Sequence, residues 1–244
     1  MLRPLLFLLV TSVVSFATAQ AAPVGAAATA VHATNSVSGP ARLEGEVRKF
    51  EVVDRRTPAP AHPVLFTGSS SIRLWTNLVA DFPNYTVVNR GFGGSEMRDL
   101  LHFFDRLVRP YQPSAIVVYE GDNDLGSGQS VDEVYALYLQ FLQRVRTDLP
   151  GTPVVILAVK PSPSRQKWVA SQRDLNARLE SLAQSSPGLV FVDTFHPLLD
   201  AAGLPRPEFY QADHLHMTPA GYAVWKPAVE AGLKAALPRA AGRP

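Results

Sequence analysis

Five short apolar runs punctuate the chain: Val64–Phe66, Thr86–Val88, Ala115–Tyr119, Val154–Val159 and Leu189–Val192. They are rich in Val and Ile and do not alternate with polar residues, the pattern of strands buried on both faces of a parallel sheet. Between them, apolar positions recur at helical spacing. Met97, Leu100, Leu101, Phe104, Leu107 and Val108 predict a helix that Ser95 can cap and Pro110 stops. Ser130 and Glu133 form a capping box ahead of Val134, Leu137, Phe141, Leu142 and Val145. Trp168, Leu175, Leu179 and Leu182 mark a further helix. Thr218 with Pro219 opens the last, whose apolar side carries Tyr222, Trp225, Val229, Leu233 and Leu237. Ahead of the first strand, Ala41 to Arg56 has mixed charge and reads as helix, ended by Pro58-Ala59-Pro60. A helix followed by five β-α units predicts one three-layer α/β/α domain over residues 41–238, with a five-stranded, mainly parallel sheet.

The termini read differently. Arg3 followed by the apolar stretch Leu5–Phe16 and small residues around Ala17–Ala21 predicts a signal peptide over residues 1–21, too short for a membrane span. Residues 22–40, rich in Ala, Ser, Thr and Gly, predict a flexible lead-in, and 239–244 a tail. The expected location is therefore secreted or periplasmic, with no membrane span in the mature chain. The 244 residues carry a formal net charge of +2 with no basic block, which argues against a nucleic-acid partner. There is no cysteine, so disulfides, thiolate metal sites and cysteine nucleophiles are excluded.

In a parallel α/β sheet, ligands bind beyond the C-terminal ends of the strands. Those ends read Thr67-Gly68-Ser69-Ser70-Ser71, Asn89 to Ser95, Glu120-Gly121-Asp122-Asn123-Asp124, Lys160 to Arg165, and Asp193-Thr194-Phe195-His196. A sixth polar segment, Asp213-His214-Leu215-His216, precedes the last helix. A serine at the first of these turns can attack if a base removes its proton and an acid orients the base. An Asp three residues before a His can turn back onto Nδ1 and leave Nε2 facing the serine. An N–H of Gly91–Gly94 and the Asn123 side chain are suitable donors for an oxyanion.

These segments resemble, in order, the sequence blocks of the SGNH/GDSL hydrolase family: Gly68-Ser69-Ser70, Asn89 to Ser95, Gly121 to Asp124, and Asp213 to His216. The resemblance covers about Pro63 to Leu237 and implies a flavodoxin-like SGNH hydrolase fold. It implies Ser70 as nucleophile, His216 as base and Asp213 as acid, with Ser70, Gly94 and Asn123 around the oxyanion. Ser69 stands where the family usually has Asp, which leaves the role of that position open. The implied activity is a serine esterase that needs no metal or organic cofactor. Its expected substrate is a small-molecule or carbohydrate ester with a short acyl group, acetyl first. The family also holds lipid esterases and thioesterases.

Around this core lie weaker candidates. Phe92, Trp75, Trp168 and Arg90 are expected to contact substrate. Arg73, Lys160 and Arg165 share the same edge and suit either an anionic group or ordinary surface pairing. His214 and His196 read as solvated or turn residues, and Asp122 and Asp124 as turn carboxylates that hold Asn123 through local backbone bonds. A competing reading from another class makes the Thr67–Ser71 loop a phosphate cradle for flavin, or the whole domain a non-catalytic carbohydrate binder. That reading leaves Asp213 and His216 without a task.

Overall fold

In the computed structural model, residues 39–237 are described, so the expected signal peptide, nearly all of the lead-in and the tail lie outside the described residues. The five apolar runs form strands β1 (Val64–Gly68), β2 (Val87–Gly91), β3 (Ala115–Tyr119), β4 (Val154–Leu157) and β5 (Leu189–Val192). All four pairings are parallel, in the order β2-β1-β3-β4-β5. The three central strands are buried along their whole length, as their unbroken apolar sequence requires.

The helices are α1 (Glu44–Arg56), α2 (Ser70–Arg73), α3 (Leu78–Asp81), α4 (Met97–His102), α5 (Phe104–Leu107), α6 (Asp122–Gly126), α7 (Val131–Asp148), α8 (Val169–Gln184) and α9 (Pro219–Ala236). Alternate strand residues feed two cores. Leu65, Val88, Ile116, Val118 and Ile156 pack against α1, α4, α5, α7 and α8. Val64, Phe66, Val117, Val155 and Leu157 pack against α9 and the segment Trp75–Phe82. Capping chemistry sets the starts of α7 and α9: Ser130 and Glu133 close a reciprocal box, and the Thr218 hydroxyl accepts the Gly221 N–H. The expected helix after the second strand instead starts one residue later and breaks in two at Phe103. Glu96 is its cap, because Asp99 returns a carboxylate to the Glu96 N–H at 2.9 Å. Ser95 is buried and bonded elsewhere.

The strand order places a switch point at β1 and β3. The chain leaves β1 toward β2 on one side, while β3 to β5 build outward on the other, and a crevice opens between the carboxyl ends. Gly68 is in register with both Gly91 and Tyr119, so the three loops that follow emerge at one level.

Candidate active site

The first of these loops is shaped by glycine. Gly68 has φ +122°, and a Cβ there would lie 2.0 Å from the Tyr119 carbonyl oxygen. Only glycine lets β1 turn this sharply against β3. Ser69 follows in extended conformation. Its N–H donates to the Tyr119 carbonyl at 3.0 Å, and its own carbonyl accepts the Ile72 and Arg73 N–H groups. The contacts of Ser69 in this turn are main-chain ones, and its side chain is buried. Of the loop's four hydroxyls, those of Thr67, Ser69 and Ser71 are buried, and only Ser70 opens onto the cleft. No ring of hydroxyls remains to cradle a phosphate.

Two further contacts fix the Ser70 turn. The Asn89 amide donates to the Ile72 carbonyl at 2.7 Å while its oxygen accepts the Gly91 N–H at 2.8 Å. From α9, the Tyr222 hydroxyl donates to the Ser71 carbonyl at 2.9 Å. Sequence reasoning gave neither residue a role at the site. The signal for Asn89 was present, a polar residue inside a largely buried strand, two positions before a glycine.

His216 reaches this turn from the far end of the chain. Its Nε2 lies 3.1 Å from the Ser70 hydroxyl, and its Nδ1 lies 2.5 Å from an Asp213 carboxylate oxygen. The other Asp213 oxygen accepts the Leu215 and His216 N–H groups, both at 2.9 Å. Partial burial works to raise the Asp213 carboxyl, but the His216 ring and those two N–H donors outweigh it and hold it at about 2. His214 sits between them at φ +57°, exposed, and its carbonyl accepts the Ser164 N–H. The Asp193–His196 segment has the same local design. One Asp193 oxygen accepts two backbone N–H groups at 3.0 Å, and the other meets His196 Nδ1 at 2.8 Å. That pair is exposed, with no serine hydroxyl bonded to its ring.

Ser70 and His216 line a cleft of about 480 Å³ with Gly93, Gly94, Asn123, Glu46, Arg73 and Leu215. Among the described residues, neither the Ser70 N–H nor the Gly94 N–H has an acceptor. Gly94 takes φ +77°. The Asn123 amide donates one hydrogen to the Ser95 carbonyl at 2.9 Å and keeps a second. The cleft thus brings a hydroxyl, a ring nitrogen and several free N–H donors to one place. That combination suits attack on a carbonyl carbon with charge building on its oxygen. A larger hollow of about 690 Å³ lies at the opposite strand ends, among Asp54, Pro58–Ala61 and Tyr111, and has no nucleophile beside a base.

Three expected substrate contacts are corrected. Trp75 is buried among Phe66, Phe82, Tyr222 and Trp225, with its indole N–H donating to Asp81. Phe92 is buried on the opposite face of the sheet, against Phe103. Arg90 is buried too, paired with Asp54 at 2.5 Å and flanked by Tyr111 and Phe50. Trp168 is half-buried between Arg165 and Lys167, one residue removed from the cleft, since Arg165 itself reaches Asn123 Oδ1 at 3.4 Å. Lys160 is buried against Asp122 at 3.2 Å. Asp122 therefore serves an ion pair with Lys160 rather than a local turn, while Asp124 does accept backbone N–H groups, from Met97 and Gly121. Arg73 is exposed on the cleft wall and has no carboxylate partner among the described residues. Glu46, from α1, was not anticipated at the cleft, because nothing near α1 in sequence bears on the strand ends. Among the described residues there is no cluster of metal-ligating side chains and no helix long and apolar enough to cross a membrane.

Comparison with known proteins bears on the family and the fold. The family model of the GDSL-like lipase/acylhydrolase family matches residues 61–224. Among curated proteins none matches the chain. Solved structures share the fold. A Streptococcus pneumoniae protein described as a candidate platelet activating factor is 23% identical over 78% of this chain and 92% of its own, with TM-score 0.68. A GDSL-like lipase from Bacteroides thetaiotaomicron is 20% identical over 78% and 98%, with TM-score 0.68. A catalytic mutant of an acetylxylan esterase from Geobacillus stearothermophilus is 14% identical over 71% and 94%, with TM-score 0.59.

Proposed function

Because the chain belongs to the GDSL-like lipase/acylhydrolase family and is an ester-bond hydrolase, we propose that it works as a serine esterase with Ser70 as nucleophile, His216 as general base and Asp213 as the orienting acid. The observation that carries this is the unbroken relay from the Ser70 hydroxyl through His216 to Asp213, at 3.1 and 2.5 Å. His216 Nε2 takes the hydroxyl proton as Ser70 Oγ bonds to the ester carbon. The carbonyl oxygen gains the electron pair and is met by the Ser70 and Gly94 N–H groups and the Asn123 amide. Collapse of this intermediate expels the alcohol, which takes the proton from His216. Water, deprotonated by the same ring, then releases the acid and restores Ser70. Asp213, ionised throughout, stabilises the imidazolium.

The cleft also bears on the substrate. Leu215 is the one aliphatic side chain among its lining residues, so it offers a long acyl chain little apolar surface to bury. We therefore favour short acyl groups, acetyl first, on a polar alcohol such as a carbohydrate, over lipid esters and thioesters. The acetylxylan esterase among the structural relatives is in keeping with this reading. Arg73 is the residue best placed to meet an anionic group on the alcohol. The N-terminal pattern of Arg3 and Leu5–Phe16 supports export, so we assign the activity to a secreted or periplasmic enzyme.

A fluorophosphonate followed by mass spectrometry tests the chemistry, with the adduct expected on Ser70; an adduct on Ser69 or Ser71, or none, would overturn it. A panel of acetyl, butyryl and long-chain esters tests the substrate, with turnover expected to fall as the chain lengthens. Ser70→Ala should lower kcat by at least about 10³-fold while leaving the melting transition in place.

A further inference from the structure

Beneath the oxyanion loop lies a carboxyl group that the mechanism does not use. Glu120 directly follows β3 and is fully buried. One of its oxygens accepts the Ser95 hydroxyl at 2.6 Å; the other, also buried, has no hydrogen-bond partner. Its main chain is clamped from α7 by Tyr138, whose hydroxyl donates to the Glu120 carbonyl at 3.0 Å. Ser95 is in turn the joint of the oxyanion pocket. Its nitrogen belongs to the peptide that follows Gly94, and its carbonyl accepts the Asn123 amide at 2.9 Å.

Resting on the esterase reading above, we propose that Glu120 is a positioning residue for the oxyanion pocket: its carboxyl fixes Ser95, and Ser95 fixes the Gly94 N–H and the Asn123 amide relative to each other. The surroundings require the neutral acid. An ionised Glu120 would hold a buried, unpartnered oxygen, at a cost of several kcal/mol. The groups facing it add to this. Asp124 on α6, Asp99 on α4 and Glu96, which caps α4, are all acidic; the Arg42 guanidinium is engaged by Asp99, and Tyr138 on α7 is neutral. Burial first, then the neighbouring Asp124 carboxyl, push the Glu120 carboxyl well above the usual carboxylate range. A neutral carboxyl fills the space and holds Ser95 without placing a negative charge beneath a pocket built to receive one.

Wild type, Glu120→Ala and Glu120→Gln should be compared with an acetyl ester and with a fluorophosphonate. Glu120→Ala is expected to lower kcat by about 10–100-fold and slow Ser70 labelling in parallel, with KM within about twofold, as for the loss of a well-placed oxyanion donor. Glu120→Gln, uncharged and of the same shape, should recover most of that loss. If Glu120→Ala does not fold, Glu120→Gln decides alone, through difference infrared spectroscopy at neutral pH. A protonated carboxyl band present in wild type and absent from Glu120→Gln supports the proposal, and no such band overturns it. Wild-type kcat in a folded Glu120→Ala, or no recovery in Glu120→Gln, also overturns it. Failure of wild-type Ser70 to label would instead sink the esterase reading on which it rests.

Discussion

Asn89 offers a direct test of how the fold positions Ser70. Its side chain makes two hydrogen bonds, to the Ile72 carbonyl at 2.7 Å and from the Gly91 N–H at 2.8 Å. It thereby ties the end of β2 to the turn that carries the serine. Asn89→Ala removes both bonds, each with a net value of about 1 kcal/mol, and leaves the buried Gly91 N–H without its acceptor, while the Ile72 carbonyl keeps the Trp75 N–H at 3.1 Å. The summed expectation is about 2–4 kcal/mol of stability, or about 5–12 °C in Tm for a domain of this size. A turn released from β2 also lets Ser70 drift from His216, and a misplacement of ~1 Å costs about 10²-fold in rate. We expect kcat to fall about 10–100-fold with KM little changed. Asn89→Asp should do no better, because it keeps the acceptor for Gly91 but sets a carboxylate against the Ile72 carbonyl. Thermal melts and ester hydrolysis on the same preparations check both values. If Asn89→Ala melts within 1 °C or so of wild type and turns over within about twofold, the turn is held by other contacts and the reasoning fails.

Two other expectations concern stability. Gly68→Ala places a Cβ 2.0 Å from the Tyr119 carbonyl, main chain that cannot yield, so we expect a loss of at least about 3 kcal/mol by chemical denaturation. Gly94→Ala has open space around it and carries only the strain of φ +77°, about 1 kcal/mol, so its effect should appear in kcat instead. Asp124 is pushed up to about 7 by burial, against the pull of the Met97 N–H. Below pH ~4 it is protonated folded and unfolded; between pH ~4 and about 7 only the unfolded chain ionises, so this group's contribution to stability declines as pH rises through that window, by up to about 4 kcal/mol. Denaturant midpoints measured across the window should fall for wild type and fall less for Asp124→Asn; parallel curves would refute the assignment.

The strands and most helices were legible because their signals are local. A strand buried on both faces is an unbroken apolar run wherever it occurs, and the Ser130–Glu133 box closes over three residues. Side-chain destinations were less so. Trp75 follows Ser70 by five positions, yet it turns into the core beneath the sheet, where four aromatic rings receive it. Arg90 stands at a strand end like the site residues, but Asp54 and Tyr111, 36 and 21 positions away, draw it off. The Asp-x-x-His spacing was legible as chemistry but not as place. Asp193–His196 and Asp213–His216 make the same closed turn, and only the fold brings the second to Ser70. The cap at Glu96 rather than Ser95 was hidden because Ser95 answers to Glu120, 25 positions later.

The closed Asp213–His216 turn has a consequence for how such a site can fail. In the proposed mechanism acid and base travel together as one four-residue cassette, their mutual geometry locked by the loop's own N–H groups. What the rest of the domain must supply to this pair is its separation from a serine 146 positions earlier. A swing of the loop ahead of α9 would leave each half intact and the enzyme idle. Reversible inactivation by heat or mild denaturant should therefore precede global unfolding, and it should be invisible to any probe that reports on the Asp213–His216 pair alone.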